Sequence, residues 1–318
     1  MARPTLLLNP GSGWSATSPF LYTLALDNKY CHHAHQKENF YLKLLSEPTQ
    51  ERIEHVRNIF IGKKQNRRKR DHPFGRVLSQ SNDYVKNLDF TDFISAPYNI
   101  DKYISYYKQH YENIKHEYQA VCDFSNANFS LPLSFLQEIA PKLQEHFDVK
   151  VTMQFRDPIR RYFSEIGLLI NDNPNAATNF KEQLFIKARR HRKLFFYRLE
   201  SKHFSDNCKY LTAYLNYSSV FGKENVLPII MEDFWSEDQT EMLSDFLNFK
   251  ITAVHENAYV PDMGKNAPKY DYLEDQWSSD IENLNPEKAK EAMKHMKHYY
   301  SDYKNYFGSI PERWEAIS

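Results

Sequence analysis

Four short apolar runs, Thr5–Leu8, Gln119–Cys122, Val149–Phe155 and Val226–Met231, constrain the fold more than any other feature of the chain. Each is bounded by turn-forming residues, the pattern of strands buried on both faces. Longer helical patterns separate them. In Leu133–Phe147, the residues Leu133, Leu136, Ile139, Ala140, Leu143 and Phe147 fall close to the i, i+3, i+4, i+7 spacing of one helix face. Glu241–Phe249 and Pro286–Phe307 also read as helices, the second with proline in its first turn. Strands alternating with helices predict an α/β fold, a three-layer α/β/α arrangement with a central parallel sheet. Residues 42–118 break this rhythm with charged, helical-looking sequence and read as a helical insertion in a single domain covering 1–318.

Composition narrows the function classes. A chain of 318 residues buries about three quarters of its extended surface in one large domain or two small ones. Lysine plus arginine number 41, against 41 aspartate plus glutamate. That zero balance argues against a protein that coats nucleic acid, and no nucleic-acid partner is expected. No run approaches the ~18 to 20 apolar residues of a membrane span, so no membrane association is expected either. Cys31, Cys122 and Cys208 are far apart and form no C-x-x-C pair, which excludes a zinc ribbon or thioredoxin-type motif and fits a reducing compartment. The leucine run near the N-terminus is too short for the core of a signal peptide. A cytoplasmic protein is the expectation.

Two loops carry the chemistry. After Thr5–Leu8 comes Asn9-Pro10-Gly11-Ser12-Gly13-Trp14-Ser15-Ala16-Thr17-Ser18, leading into an expected helix over Pro19–Leu26. Small residues at a strand-to-helix turn let backbone amides wrap an anion, and Ser15, Thr17 and Ser18 add hydroxyls. An ordinary capped turn, with Ser18 as N-cap and Pro19 at the first helical position, reads the same residues equally simply. The absence of Gly-Lys-Ser/Thr excludes a Walker A motif. After Val149–Phe155 comes Arg156-Asp157-Pro158, with Ser164 about two turns further along a helix that Asp157 can cap. A guanidinium at the carboxyl end of a strand, with a hydroxyl nearby, suits a phosphate monoester. A structural Arg–Asp pair at a helix start is the alternative.

Taken together, these segments resemble the sulfotransferases that use 3′-phosphoadenosine-5′-phosphosulfate (PAPS), in particular the glycan/heparan type. Ser12-Gly13-Trp14-Ser15-Ala16-Thr17-Ser18 is similar to that family's 5′-phosphosulfate loop, G-x-[KR]-S-G-T-[ST]. Phe155-Arg156-Asp157-Pro158, with Arg-x7-Ser ending at Ser164, is similar to its 3′-phosphate motif. Lys37-Glu38-Asn39-Phe40-Tyr41 resembles K-E-x-x-[FY], whose glutamate is the catalytic base of related glycan sulfotransferases. Asp123-Phe124-Ser125 stands in the place of G-E-x-S-P. The segments 220–227 and 231–234 resemble the later strand and its preceding helix, and Gly264-Lys265 resembles the loop that closes over the 3′-phosphate.

The resemblance implies a P-loop-like nucleotide-binding fold, with 42–118 on the substrate side. It implies a metal-independent transfer of a sulfuryl group from PAPS to a hydroxyl or amine, of a glycan or a small molecule, with 3′-phosphoadenosine-5′-phosphate (PAP) as product. Glu38 would be the base, with Lys37 and His35 beside it. Gly13, Trp14, Ser15, Ala16, Thr17, Ser18, Arg156, Ser164, Gly264 and Lys265 would hold the donor.

One position departs from the pattern. Trp14 stands where the family's loop has Lys or Arg, so no cation from that position can steady the leaving oxygen. A lost contact of that kind costs ~2.7 to 4 kcal/mol in rate. Lys37 or the basic run Lys63–Arg70 could take over the charge; otherwise the chain is a catalytically weakened PAP- or PAPS-binding protein. A P-loop phosphotransferase using ATP and Mg²⁺ is a third reading, against which the missing Gly-Lys-Ser/Thr already counts. The run Lys63–Arg70 reads either as an attractor for an anionic acceptor or as a solvated loop. Cys31-His32-His33-Ala34-His35 crowds its ligands into five residues with no matching second pair, which disfavours zinc. Tyr299, Tyr300, Tyr303 and Tyr306 read as a helix packed on the body of the protein.

Overall fold

The computed structural model describes residues 3–13, 15, 17–35, 37–57, 82–85, 87–158, 161, 202–233, 236–252, 286–311 and 314. Five strands form one sheet: β1 (Thr5–Leu8), β2 (Cys31–His32), β3 (Ala120–Asp123), β4 (Asp148–Phe155) and β5 (Val226–Ile230), in the order β2-β3-β1-β4-β5. β1 lies at the centre and runs parallel to both neighbours, Thr5 facing Ala120 on one side and Asp148 on the other. β2 extends the sheet in parallel beyond β3, with Cys31 opposite Ala120 and His32 opposite Val121. Leu6, Leu7 and Leu8 are all buried. Side chains alternate between faces along a strand, so helices must cover both sides of this one. The fold is α/β around a central parallel sheet.

The chain forms two compact units. The first comprises 1–11, 16–154 and 213–263, and holds most of the sheet. One of its cores packs Leu7, Cys31 and Cys122 against Phe20, Leu21 and Leu24 of α1 (Thr17–Tyr22) and the π-helical turn Thr23–Asp27, and against Leu243 and Leu247 of α9 (Glu237–Leu247). A second core is aromatic. It joins α2 (Tyr41–Ser46), α4 (Phe90–Phe93) and α5 (Ile100–Ile114), with Tyr41 stacked on Phe93 at 4.4 Å, Phe93 on Tyr106 at 3.9 Å, and Tyr103 4.7 Å from Tyr107. Offset ring packing of this kind adds to the apolar burial. Between α2 and α4 lies α3 (Gln50–Arg57). The described residues of 42–118 contain helices and no strand. The run Lys63–Arg70 lies outside them.

The second unit comprises 12–15, 155–212 and 264–318. It contains α7 (Lys202–Cys208), the start of α8 (Tyr210–Phe221) and α10 (Pro286–Phe307). Phe155 stacks on Tyr210 at 4.8 Å, and Tyr303 lies 4.7 Å from Trp314. Tyr299, Tyr300 and Tyr303 are buried, as a packed tail helix requires, whereas Tyr306 is exposed.

Local chemistry moved several boundaries from their sequence expectation. The helix expected over Pro19–Leu26 begins at Thr17, so Ser18 is a helical residue and not the N-cap. Pro19 still lies in the first turn, where a missing N–H costs nothing. α6 (Leu133–His146) ends as its apolar spacing implied. α9 starts at Glu237 instead of Glu241, because the Ser236 side chain accepts from Gln239 N at 3.3 Å and caps it. Its other end closes on Asn248 in the left-handed region, with Phe249 N donating to Ser244 O. Before β5, Gly222 has φ +90°, a conformation that favours glycine.

Candidate functional site

The carboxyl ends of β1, β2 and β3 deliver three polar segments within the first unit. After β1, Asn9 N donates to Asp123 O at 2.8 Å, and its side-chain amide donates to Thr152 Oγ1 at 2.8 Å. Gly11 follows. A Cβ there would stand 2.3 Å from Gln154 Oε1 and 2.6 Å from Thr17 Cγ2, so any larger residue would have to push these side chains aside. Thr17, at the start of α1, is buried.

After β2 the chain runs through His33–His35 to Lys37 and Glu38. Lys37 Nζ donates to Thr17 Oγ1 at 2.8 Å and to Glu38 Oε1 at 3.3 Å. Its third proton has no acceptor among the described residues. Burial lowers the Lys37 pKa, and the charge of Glu38 and the hydrogen bond to it oppose that shift. Glu38 keeps 30% of its side chain exposed, against 20% for Lys37. The first unit therefore brings together three residues singled out in the sequence: Thr17, Lys37 and Glu38.

After β3, Asp123 is a buried carboxylate held by donors. Tyr103 OH donates to Oδ2 at 2.9 Å and Ser125 N to Oδ1 at 3.0 Å. Burial raises its pKa, and these hydrogen bonds oppose the rise. Ser125 Oγ in turn accepts from Asn39 N at 3.0 Å, anchoring the residue that follows Glu38. Phe40 sits in the left-handed region at φ 59°, and Asn39 Oδ1 accepts from Tyr41 N at the start of α2. The turn that presents Glu38 is thus fixed on its C-terminal side.

The histidines of this segment have another environment. His32 Nδ1 lies 3.0 Å from His110 Nε2, which also accepts from Ala34 N at 3.0 Å. That backbone donor fixes His110 Nε2 as an unprotonated acceptor, so His32 Nδ1 carries the shared proton. Burial lowers all three pKa values, to about 2 for His32, about 4 for His33 and about 3 for His110. His35 Nδ1 pairs with Tyr106 OH at 2.7 Å, its ring stacks on Phe90, and burial lowers its pKa too. Among the described residues, His35 makes no hydrogen bond to Lys37 or Glu38.

The second unit holds the other loop residues. Gly13 N donates to Asn207 Oδ1 at 3.0 Å, Ser12 and Ser15 share a hydroxyl hydrogen bond, and Arg161 donates to Gly13 O at 3.3 Å. The Arg161 guanidinium is fully buried and lies 4.7 Å over the Phe204 ring. Arg156 is buried as well, and its carbonyl accepts from Tyr210 OH at 2.7 Å. Arg161 N donates to Asp157 O at 2.8 Å, the first bond of the helix expected at Pro158. The Asp157 carboxylate accepts from Tyr300 OH. Trp14, Ala16, Ser164, Gly264 and Lys265 lie outside the described residues, and of Ser18 only the helical backbone is described. Asn126, whose Nδ2 donates to Glu38 Oε1 at 3.3 Å, Asn207 and Arg161 give no sign of themselves in the sequence, since single polar residues on turns and helices carry no periodic signal.

No family model matches the chain, and no curated protein matches it. Among solved structures, it is similar to a sulfotransferase from Alicyclobacillus acidocaldarius, with 16% identity over 99% of this chain and 100% of that chain, at a TM-score of 0.48. It is also similar to the sulfotransferase domain of the Synechococcus PCC 7002 olefin synthase, with 17% identity over 88% of this chain and 89% of that one, at a TM-score of 0.43. A third similarity is to the sulfotransferase domain of the curacin biosynthetic pathway, with 16% identity over 85% and 82%, at a TM-score of 0.42. No helix among the described residues is long and apolar enough to cross a membrane.

Proposed function

We propose that this chain is a sulfotransferase that moves the sulfuryl group of PAPS to a hydroxyl or amine acceptor, releasing PAP. The observation that carries the reading is Lys37 Nζ, 2.8 Å from Thr17 Oγ1 and 3.3 Å from Glu38 Oε1. It unites a base, a cation and a hydroxyl of the phosphosulfate-loop motif, three parts that sulfuryl transfer requires. The acceptor oxygen or nitrogen attacks sulfur in line, its proton passes to Glu38, and the bond from sulfur to the bridging oxygen breaks with its electron pair left on PAP. The transition state is loose and spreads charge over the sulfuryl oxygens, so a preorganised cation contributes strongly. Lys37 supplies that cation in place of the loop residue that Trp14 replaces. In this reading the segment 13–18 holds the 5′-phosphosulfate, and Arg156, Ser164, Gly264 and Lys265 hold the 3′-phosphate. The acceptor belongs to the glycan or small-metabolite class.

Calorimetric titration with PAP, with ADP and ATP as controls and with and without Mg²⁺, tests the donor. Tight, metal-independent binding that needs the 3′-phosphate and is lost in Arg156→Ala is the expected result. A preference for ATP with Mg²⁺, or no preference for PAP over ADP, overturns it. Glu38→Gln then separates an enzyme from a binding protein. Turnover should fall ~10²- to 10⁴-fold, the usual worth of a general base, with PAP affinity retained. Trp14 favours a second reading, a PAP- or PAPS-binding protein of weak activity; PAP binding without turnover in the wild-type chain would select it.

A further inference from the structure

Glu38 has one oxygen occupied and one open. Lys37 Nζ and Asn126 Nδ2 both donate to Oε1, each at 3.3 Å. Oε2 makes no hydrogen bond among the described residues, and Glu38 is the more exposed partner of its ion pair. Two donors on one oxygen leave the lone pairs of the other oxygen available, which a proton acceptor needs.

We propose that Asn126 is a positioning residue that holds Glu38 Oε1, so that Oε2 is aimed at the acceptor's proton; this rests on the sulfotransferase reading above. Three observations converge on it. The first concerns the amide itself. Asn126 Oδ1 is buried with no hydrogen-bond partner among the described residues, while Nδ2 reaches Glu38. The side chain leaves its acceptor unsatisfied in order to point its donor at the carboxylate. Turning the amide over would set Oδ1 against a carboxylate oxygen, acceptor against acceptor, so the observed orientation is the one that gives Glu38 a donor.

The second concerns rigidity. Asn126 opens the 3₁₀ turn Asn126–Ser130 directly after β3. Asn128 N donates to Ser125 O at 2.9 Å, and Tyr217 OH donates to Asn128 O at 2.7 Å. Asn128 Nδ2 also reaches Asp123 Oδ2 at 3.3 Å, the oxygen that Tyr103 holds. The turn is therefore tied to a buried carboxylate at the end of a central strand. The third is that Ser125, the preceding residue, accepts from Asn39 N. Adjacent residues of one turn thus hold the glutamate's carboxylate and the backbone that follows it, a support a catalytic group needs to stay within its working geometry.

The test uses Asn126→Asp, Asn126→Ala and Asn126→Ser in the full chain, with two readouts. Glutamate labelled with ¹³C at the side-chain carboxyl gives the Glu38 titration directly, the resonance being assigned by its loss in Glu38→Gln. The pH profile of kcat/KM for sulfuryl transfer gives the same ionisation through activity. Asn126→Asp is isosteric and sets a second carboxylate against Glu38. It should move the Glu38 titration and the acidic limb of the profile upward by about one pH unit or more. Asn126→Ala should move both upward by less and lower kcat about tenfold, with PAP affinity unchanged, and Asn126→Ser should recover part of the loss. An unmoved Glu38 titration in Asn126→Asp overturns the proposal, as does a loss of activity matched by an equal loss of PAP affinity. A titration that shifts in a chain without sulfuryl-transfer activity upholds the Asn126–Glu38 contact and rejects the sulfotransferase reading that gave it a purpose.

Discussion

Two groups of polar side chains lie on the same short stretch after β2, and burial treats them in opposite ways. His32 and His33, together with His110 from α5, are withdrawn from water and kept neutral; His32 and His110 share a hydrogen bond, and His110 also accepts from Ala34 N. Lys37 and Glu38, a few residues on, retain partial exposure and a direct ion pair. Among the described residues no carboxylate pairs with these histidines, so desolvation drives their pKa values down unopposed by a strong partner. Lys37 feels the same desolvation, but Glu38 opposes it. A buried group can escape its penalty by giving up its charge, or keep the charge by finding a counterion. His32, His33 and His110 take the first course, and Lys37 takes the second.

The comparison breaks most visibly under acid. In the unfolded chain the three imidazoles take up protons as pH falls through about 6.5, whereas in the folded chain they resist down to about 4, 3 and 2. Below about 6.5 the unfolded state therefore binds more protons, and stability is complete above that value and lost as pH falls. Each histidine contributes about 1.4 kcal/mol per pH unit, hence roughly 2 kcal/mol apiece by pH 5. Urea unfolding between pH 7.5 and 5 should show a steep decline, with the slope reduced in His110→Gln. A flat profile would mean that the cluster is neither buried nor neutral in solution.

The charged group should respond in activity more than in stability. Lys37→Met removes the cation and keeps the bulk of the side chain. Turnover should drop ~10²- to 10³-fold, the scale seen when one transition-state donor is lost. Stability should change by less than about 1 kcal/mol, since a desolvated charge is removed along with its partner's attraction. An unfolded or strongly destabilised Lys37→Met would assign the ion pair to scaffolding instead.

Smallest is the steric test of the loop that Lys37 reaches. Gly11→Ala must displace Gln154 or Thr17, because its Cβ would come within 2.6 Å of both. A loss of ~1 to 3 kcal/mol is expected, read as a lower urea midpoint at unchanged m-value. Wild-type stability in this variant would show that Gln154 swings aside freely.

Much of this was legible without coordinates. Thr5–Leu8 is an apolar run too short for a helix, Val149–Phe155 alternates apolar residues with Lys150, Thr152 and Gln154 at the period of a strand, and both lie in the sheet. Leu133–Phe147 carried its own helical period. Thr17 could be picked out by the strand-to-helix loop that bears it, and Lys37 and Glu38 by the resemblance of their segment to K-E-x-x-[FY]. β2 could not, because Cys31–His32 is two residues long and exists only through its pairing with β3. His110 is separated by more than seventy residues from the histidine it meets. The start of α9 depended on a single cap at Ser236.

The division has a physical basis. Periodicity and turn chemistry are local, so the sequence by itself determined four of the five strands, the longer helices and the residue types at those strand ends. Hydrogen bonds between distant segments are set by packing, so only the tertiary structure decided that Lys37 reaches Thr17, that Asn126 reaches Glu38, and that His110 shares its proton partner with β2.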